Sequence, residues 1–258
     1  MKKFIFFIFL SFFIIGCTHH TPYTNRSQLM LVSEDEEIAM GEKSYKEFLQ
    51  KAKISKDIKD TKRIEAIVKR IAKAANRPKY KWEVHLIEDP QVNAWCMPGG
   101  KIVVYTGLLK VAKNDDQLAT VISHEVAHAL ARHGAERISQ AEVAALIRQI
   151  GLIAVATKAP QYTGTFDMAY GYTTALGVML PYSRTHEYEA DEIGIYLMDK
   201  AGYNIHEAVK FWENMKKVSA GKAPPEFVST HPSDEHRIEK IKEIIKKIEA
   251  RKKKNHAK

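Results

Sequence analysis

Residues 124 to 128 read His-Glu-Val-Ala-His. On an α-helix, residues four apart lie on one face, about 40° apart, so His124 and His128 can hold one ion together. Glu125 lies roughly 60° from His128, beside the ion without being needed as a ligand. That placement suits a general base acting on a water polarised by zinc. A catalytic zinc takes three protein ligands and keeps one position open. One continuation of this motif supplies a third histidine six residues past the second, but that position is Gly134, and the glycine between is replaced by Ala131. His133 stands nine residues from His124, about 180° around a continuous helix. It reads as a packing or surface residue on the opposite face, so the third ligand must come from elsewhere.

The best donor segment is Tyr182 to Gly194. Glu187 and Asp191 are four apart and share a face of a predicted helix. A carboxylate from a second helix completes a two-histidine, one-glutamate zinc site. Asp191 is then placed to accept a hydrogen bond from the free ring N–H of a ligand histidine and fix its tautomer. Glu189, about 200° from Glu187, should point away. Two other readings stay open: His186 is a rival ligand by chemistry, and these acids could simply form an exposed helix face.

The elements that must position these groups follow from the pattern. Ser33 with the acids Glu34 to Glu36 starts a helix running to about Ala52. A second helix spans Asp57 to Ala75, with Ile58, Ile64, Ile67, Val68 and Ile71 on one face, and Asn76-Arg77-Pro78 stops it. Lys81 to Leu86 alternates as a strand does. Val92 to Met97 and Lys101 to Thr106 read as two further strands about the turn Pro98-Gly99-Gly100. Asn114, with Gln117 three residues on, resembles a capping box and opens a helix carrying His124 and His128 through Arg137. Val143 to Ala156 is apolar but holds Arg148 and Gln149; it is too short and too polar to span a membrane and reads as a buried or cleft-covering helix. Lys158 to Asp167 reads as a mobile loop. Helical patterns resume from Tyr170 to Ala201 and from His206 to Val218, a Pro-rich loop covers Gly221 to Pro232, and a basic amphipathic helix runs from His236 to Lys253. The fold class is mainly α with a small β-hairpin or sheet (α+β), the motif helix packed beside the sheet. No internal repeat is visible.

The 258 residues are 45% hydrophobic and 28% charged, enough for a proper core. The net charge of +9 reads as solvated helix faces plus a basic tail. No nucleic-acid module is present: there is no aromatic-rich basic sheet and no finger spacing. Lys2 and Lys3 precede an apolar run from Phe4 to Ile15, the pattern of a signal peptide over residues 1–16. Ile14-Ile15-Gly16-Cys17 resembles a bacterial lipobox, which implies lipidation of Cys17, a tether over 17–32, and a periplasm-facing lipoprotein on a bacterial membrane, the outer one by the residue after Cys17. The zinc-motif domain is then expected over 33–250, with a basic tail at 251–258. Only two cysteines exist, so with Cys17 lipidated a disulfide framework is excluded and Cys96 is a small semi-buried core residue.

Taken together the chain resembles the HtpX-like and CAAX-protease-like zinc metallopeptidases, in their periplasmic lipoprotein branch. The resemblance rests on Asn93-Ala94 with Pro98-Gly99-Gly100, Thr106-Gly107-Leu108-Leu109, the His124–His128 motif with Ala131-Arg132-His133, Tyr182-Ser183-Arg184, Glu187 with Ala190-Asp191, and His231-Pro232 followed by Arg237-Ile238. It implies a zincin-like domain with one zinc per chain, held by His124, His128 and Glu187, with Glu125 as catalytic base. It further implies that His231 reaches the zinc and occupies the open position, keeping the enzyme latent, and that Arg237 polarises or binds substrate. Extended substrates are expected to add to the edge of the hairpin at Asn93 and Ala94, which implies unfolded or misassembled envelope proteins as substrates. A zinc-containing chaperone or assembly factor is the alternative reading. Zinc hydrolysis of a cell-wall peptide has only the compartment behind it.

Overall fold

Two kinds of pattern, a period near 3.6 and strict alternation, build this chain, and the computed structural model shows where each prevails. It describes residues 18–175, 180–219, 226–231 and 235–256, which divide into two units.

The unit of residues 35–131 and 187–258 holds the sheet and most helices. Its helix α1, Glu34–Leu49, stops three residues short of the expected Ala52. Helix α2, Ile58–Ala75, is capped by Asp57, whose side chain accepts from Asp60 N, and ends where Asn76 turns left-handed at φ 51°. Ile64, Ile67, Val68 and Ile71 are buried as their spacing predicts, while Ile58 is 70% exposed because it sits at the first helical position, ahead of the packed turns. Strands β3 (Glu83–Ile87), β4 (Ala94–Met97) and β5 (Lys101–Tyr105) form one sheet in the order β3-β5-β4. The β4–β5 pair is the expected hairpin, with Cys96 opposite Ile102. Its turn requires two left-handed residues, Gly99 at φ 85° and Gly100 at φ 80°. The β3–β5 pair is parallel, with Val84 opposite Ile102. Cys96 is half-buried on β4 and is a free thiol.

Helix α3, Asp115–Leu130, carries the motif. Asn114 Oδ1 accepts from Gln117 N at 2.8 Å, and Gln117 Oε1 accepts from Lys113 N at 2.9 Å, a reciprocal cap. Leu118, Ala119, Val121, Ile122, Val126 and Ala127 bury α3 on nearly all sides. It packs on β4, on α2 and on α7, Glu207–Ser219. The short helix α8, Glu226–Thr230, lies within the expected loop, and α9, Glu235–His256, packs on α7.

The motif helix does not reach Arg137. It ends at Leu130; Arg132 takes a left-handed φ of 55°, and a new helix, α4, runs His133–Lys158. This break belongs to the second unit, residues 1–34 and 132–186. There the segment expected as a tether holds a two-stranded ladder, β1 (Thr18–His20) against β2 (Ser27–Leu29). Glu136, on the first turn of α4, gathers it. Arg26 Nη1 and Nη2 donate to its two oxygens at 2.7 Å each, and Gln28 Nε2 donates at 2.7 Å. His186 Nε2 lies 2.9 Å away, and its ring stacks on His133 with centroids 4.1 Å apart. Burial alone would raise the Glu136 carboxyl, but the hydrogen bonds from Arg26, His186 and Gln28 bring it down to about 2. A carboxyl lowered by folding stabilises above its ordinary value of 4.5 and loses that contribution as pH falls towards 2. The expected result is that the melting-temperature advantage of the wild type over Glu136→Gln, followed by circular dichroism, is full at pH 6 and shrinks from pH 4.5 downwards. A pH-independent gap would contradict it.

Two further expectations change here. The stretch 143–156 is not buried: no residue from 140 to 175 falls in the buried class. Its apolar composition invited a reading of burial, but its surroundings do not cover it. The expected loop 158–167 is a 3-10 turn at Pro160–Tyr162 followed by helix α5, Thr163–Thr174, and helix α6 spans Leu180–Lys200. The signal-peptide and Cys17 expectations lie outside the described residues.

Candidate metal centre

Helix α3 delivers His124 and His128 four residues apart, so their Nε2 atoms meet at 3.1 Å. Helix α6 delivers Glu187. Its carboxylate lies 3.3 Å from His124 Nε2 and 3.4 Å from His128 Nε2. The two helices come this close because residue 194 is glycine: a Cβ there would stand 3.2 Å from His124 N and 3.3 Å from His124 Cα. His231, one residue past α8, adds a fourth donor. Its Nδ1 lies 3.2 Å from His124 Nε2 and 3.0 Å from Glu187 Oε2. Phe227 fixes this histidine: its N donates to Val92 O at 3.1 Å, its carbonyl accepts from His231 N at 2.9 Å, and its ring lies beside the imidazole, centroids 4.8 Å apart.

The four donors come within 3.0 to 3.4 Å of one another in the pairs just given. A tetrahedron around an ion with donors at about 2.0–2.1 Å has edges of roughly 3.3–3.4 Å. Imidazole nitrogens facing each other at this range can share tautomer-dependent N–H···N hydrogen bonds, but lone pairs from three histidines and a carboxylate turned on one point also suit a common cation. Among the described residues this is the one group of four His and Glu side chains positioned to hold a metal ion. The donor set, three nitrogens and one carboxylate, is one that zinc accepts.

Behind the donors stands a buried charged layer. Asp191 Oδ1 lies 3.0 Å from His124 Nδ1, the orienting contact expected of a ligand histidine. The sequence did not foresee what holds Asp191. Arg237 Nε and Nη2 each donate to it at 2.8 Å, while Nη1 lies 3.2 Å from Glu187 Oε2 and donates to His231 O at 3.2 Å. The guanidinium stacks over Trp212, 4.0 Å from the ring centre. At 1% exposure Arg237 sits behind the four donors, where its contacts suit a positioning role beside the expected substrate-polarising one. The signal was present: Arg237 follows His231 closely, and a buried arginine suits two carboxylates. Replacing Arg237 by Ala strands two buried carboxylates, at a cost of about 3–5 kcal/mol. Chemical denaturation is expected to show that loss together with reduced zinc retention. An unchanged midpoint with a raised KM alone would leave the substrate role only.

Burial works against a charged His124, but its contacts with Asp191 and Glu187 outweigh it and push the imidazole up to about 9. For Glu187, burial would raise the carboxyl, and the charge of His128 with hydrogen bonds from the three histidines carries it well below the usual range. Glu125 goes the other way: burial raises it, against partial opposition from His231 and His124. Its Oε1 lies 3.4 Å from His231 Nε2, beside the donors and outside their set. His133 and His186, stacked on each other next to Glu136, are not among the donors, and Glu189 is buried without joining them. Asn93 and Ala94 stand at the start of β4, an edge strand. Ala94 is 1% exposed, so its side chain is withdrawn and only its backbone could meet a peptide.

A sequence profile of peptidase family M48 matches residues 59–245. The chain belongs to that family. It is similar to the mitochondrial metalloendopeptidase OMA1 of Schizosaccharomyces pombe, 35% identical over 231 residues that cover 88% of this chain and 66% of that protein. The Saccharomyces cerevisiae protein of the same name is 32% identical, covering 95% and 75%. The β-barrel assembly-enhancing protease of Escherichia coli is 28% identical, covering 80% and 43%. The chain thus spans from under half to three quarters of the length of these relatives. The family expected from the motifs is borne out, and with it the assignment to the metallopeptidases. The expected location is corrected: the relatives of higher identity are mitochondrial and the bacterial one is more distant, which overturns the placement as a periplasm-facing bacterial lipoprotein.

Proposed function

We propose that this M48 chain is a zinc-dependent endopeptidase that cleaves unfolded or misassembled proteins. The observation that carries the reading is the convergence of His124, His128, Glu187 and His231, whose ligand atoms lie within 4.8 Å of one another, with the Glu125 carboxylate beside them. Bound zinc supplies Lewis acidity, lowering the pKa of a water to about 7 and polarising a carbonyl. Glu125, dry and raised, accepts the proton of the attacking water; the water oxygen bonds to the carbonyl carbon, the C–N bond breaks, and Glu125 passes the proton to the leaving nitrogen. Asp191 and Arg237 keep His124 and Glu187 aimed. The edge of β4 from Asn93 offers backbone groups to an extended chain, which favours substrates lacking stable structure. His231 occupies the fourth donor position, and we read it as a latch that must leave for substrate to enter.

The purified chain is expected to carry about one zinc, to cleave unfolded casein, and to lose cleavage to a chelator with recovery on adding zinc back. Chelator-insensitive cleavage, or a chain that retains no metal, contradicts the reading. One observation favours a second reading, a zinc-stabilised chaperone or assembly factor: four protein donors make a closed set, as structural sites have. That reading expects suppression of aggregation that survives loss of Glu125.

A further inference from the structure

Helices α4 and α5 form a hairpin of unusual surface. From residue 140 to 175 none is buried, yet only Glu142, Arg148, Lys158 and Asp167 are charged. Leu146, Ile147, Ile150 and Ile153 are each more than half exposed, as are Tyr162, Met168 and Tyr172. Every residue from 145 to 150 is exposed, which at about 100° per residue covers the whole circumference of α4; Ala145, Leu146, Ile147 and Ile150 among them are apolar, interrupted by Gln149 and by Arg148, which is paired within the hairpin. Apolar side chains exposed beyond a single stripe suit lipid, whereas a partner protein would need only one stripe. Among the described residues α4 is also the one helix long and apolar enough to cross a membrane by length and composition.

Several polar groups of the hairpin are settled within it. Arg148 Nε and Nη2 donate to the two oxygens of Asp167 at 2.6 and 2.7 Å, cancelling both charges. Tyr170 Oη donates to Ala144 O at 2.8 Å, and Thr157 Oγ1 to Ile153 O at 2.7 Å. Thr163 and Thr173 likewise turn their hydroxyls onto Pro160 O and Ala169 O. Hydrocarbon demands such internal satisfaction and water does not. Lys158 and Tyr162 at the tip are side chains that suit a headgroup layer.

We propose that the outer part of the α4–α5 hairpin, residues 143–174, inserts into the hydrocarbon of a lipid bilayer, with the first turn of α4 and its Glu136 cluster outside it. It lies in the chain between His128 and Glu187, so the two ligand-bearing segments are joined through a membrane-embedded element. The proposal is independent of the peptidase reading and needs no catalysis for its test.

The full chain, with Cys17→Ser and Cys96→Ala, would carry one fluorophore on Ile150→Cys, or on Ile58→Cys as a control that is 70% exposed in the other unit. Both would be mixed with phosphatidylcholine–phosphatidylglycerol vesicles bearing a spin label on mid-acyl carbons. The expected result is quenching of the residue-150 probe by about two-fold or more, with loss of iodide access, and no quenching at residue 58. A residue-150 probe that stays open to iodide and untouched by the acyl label overturns the proposal. So does one shielded without vesicles in proportion to protein concentration, because a second copy would then cover the face.

Discussion

Glu125→Gln is expected to retain zinc and to lose casein cleavage by about 10²–10⁴-fold, the usual worth of a positioned general base. The amide keeps the shape of the side chain but cannot accept the proton. Zinc stays because Glu125 is not a donor; its oxygen lies 3.4 Å from His231 Nε2, beside the set. Binding of substrate should be nearly unaffected, so the loss falls on kcat. In free energy a thousandfold loss is about 4 kcal/mol of transition-state stabilisation. The measurement is kcat and KM beside metal content on the same preparation. Retained cleavage with zinc in place removes Glu125 from the base role and moves weight to the chaperone reading.

His231→Ala is expected to act in the opposite direction, raising kcat/KM roughly ten-fold while zinc remains on three ligands. A donor that fills the open position lowers the competent fraction, and apparent affinity falls by that fraction. A latch favouring the closed form by about 1.4 kcal/mol gives a factor of ten. The same imidazole approaches both Glu187 and Glu125, at 3.0 and 3.4 Å, so its departure frees the base as well as the ion. The anchor of the latch is slight, the short α8 held through Phe227 to Val92 O. Zinc content, cleavage rate and zinc affinity should therefore move separately: unchanged, up and down. A loss of cleavage with zinc retained would make His231 a participant in the reaction, not a latch.

Much of the site was legible because its groups sit at helical spacing. His124 with His128 and Glu187 with Asp191 each need only one face of one helix, and the rule of four residues places them without tertiary knowledge. The reciprocal cap at Asn114 and Gln117 was readable for the same reason: it is local. The burial of Arg237 was harder to read because its partners come from another helix and a loop, and its closeness to His231 in sequence is the one local sign of it. The end of α3 escaped because Ala131-Arg132-His133 contains neither proline nor glycine; an arginine at φ 55° is imposed by its surroundings, at about 1–2 kcal/mol. His133 was kept from the donor set on an argument that assumed one continuous helix, whereas the helix breaks at Arg132 and His133 opens the next one. The parallel pairing of β3 with β5 and the ladder at residues 18–29 are non-local and left no mark in alternation. Residues 143–156 show the limit most plainly, since apolar composition reports a preference for leaving water and not what receives the chain.

The charged layer behind the ligands has an electrical consequence. Glu125, Glu187 and Asp191, ionised, carry three negative charges into a dry interior, and Arg237 returns one positive charge. The remainder is two units of negative charge, which a divalent cation cancels in full. Without it, protons on the imidazoles must supply the neutrality, and His124, held up to about 9, is ready to carry one. On the proposed reading the ion would be a structural counter-charge as well as a reagent, and a chain stripped of it would trade metal for protons at the centre of its fold.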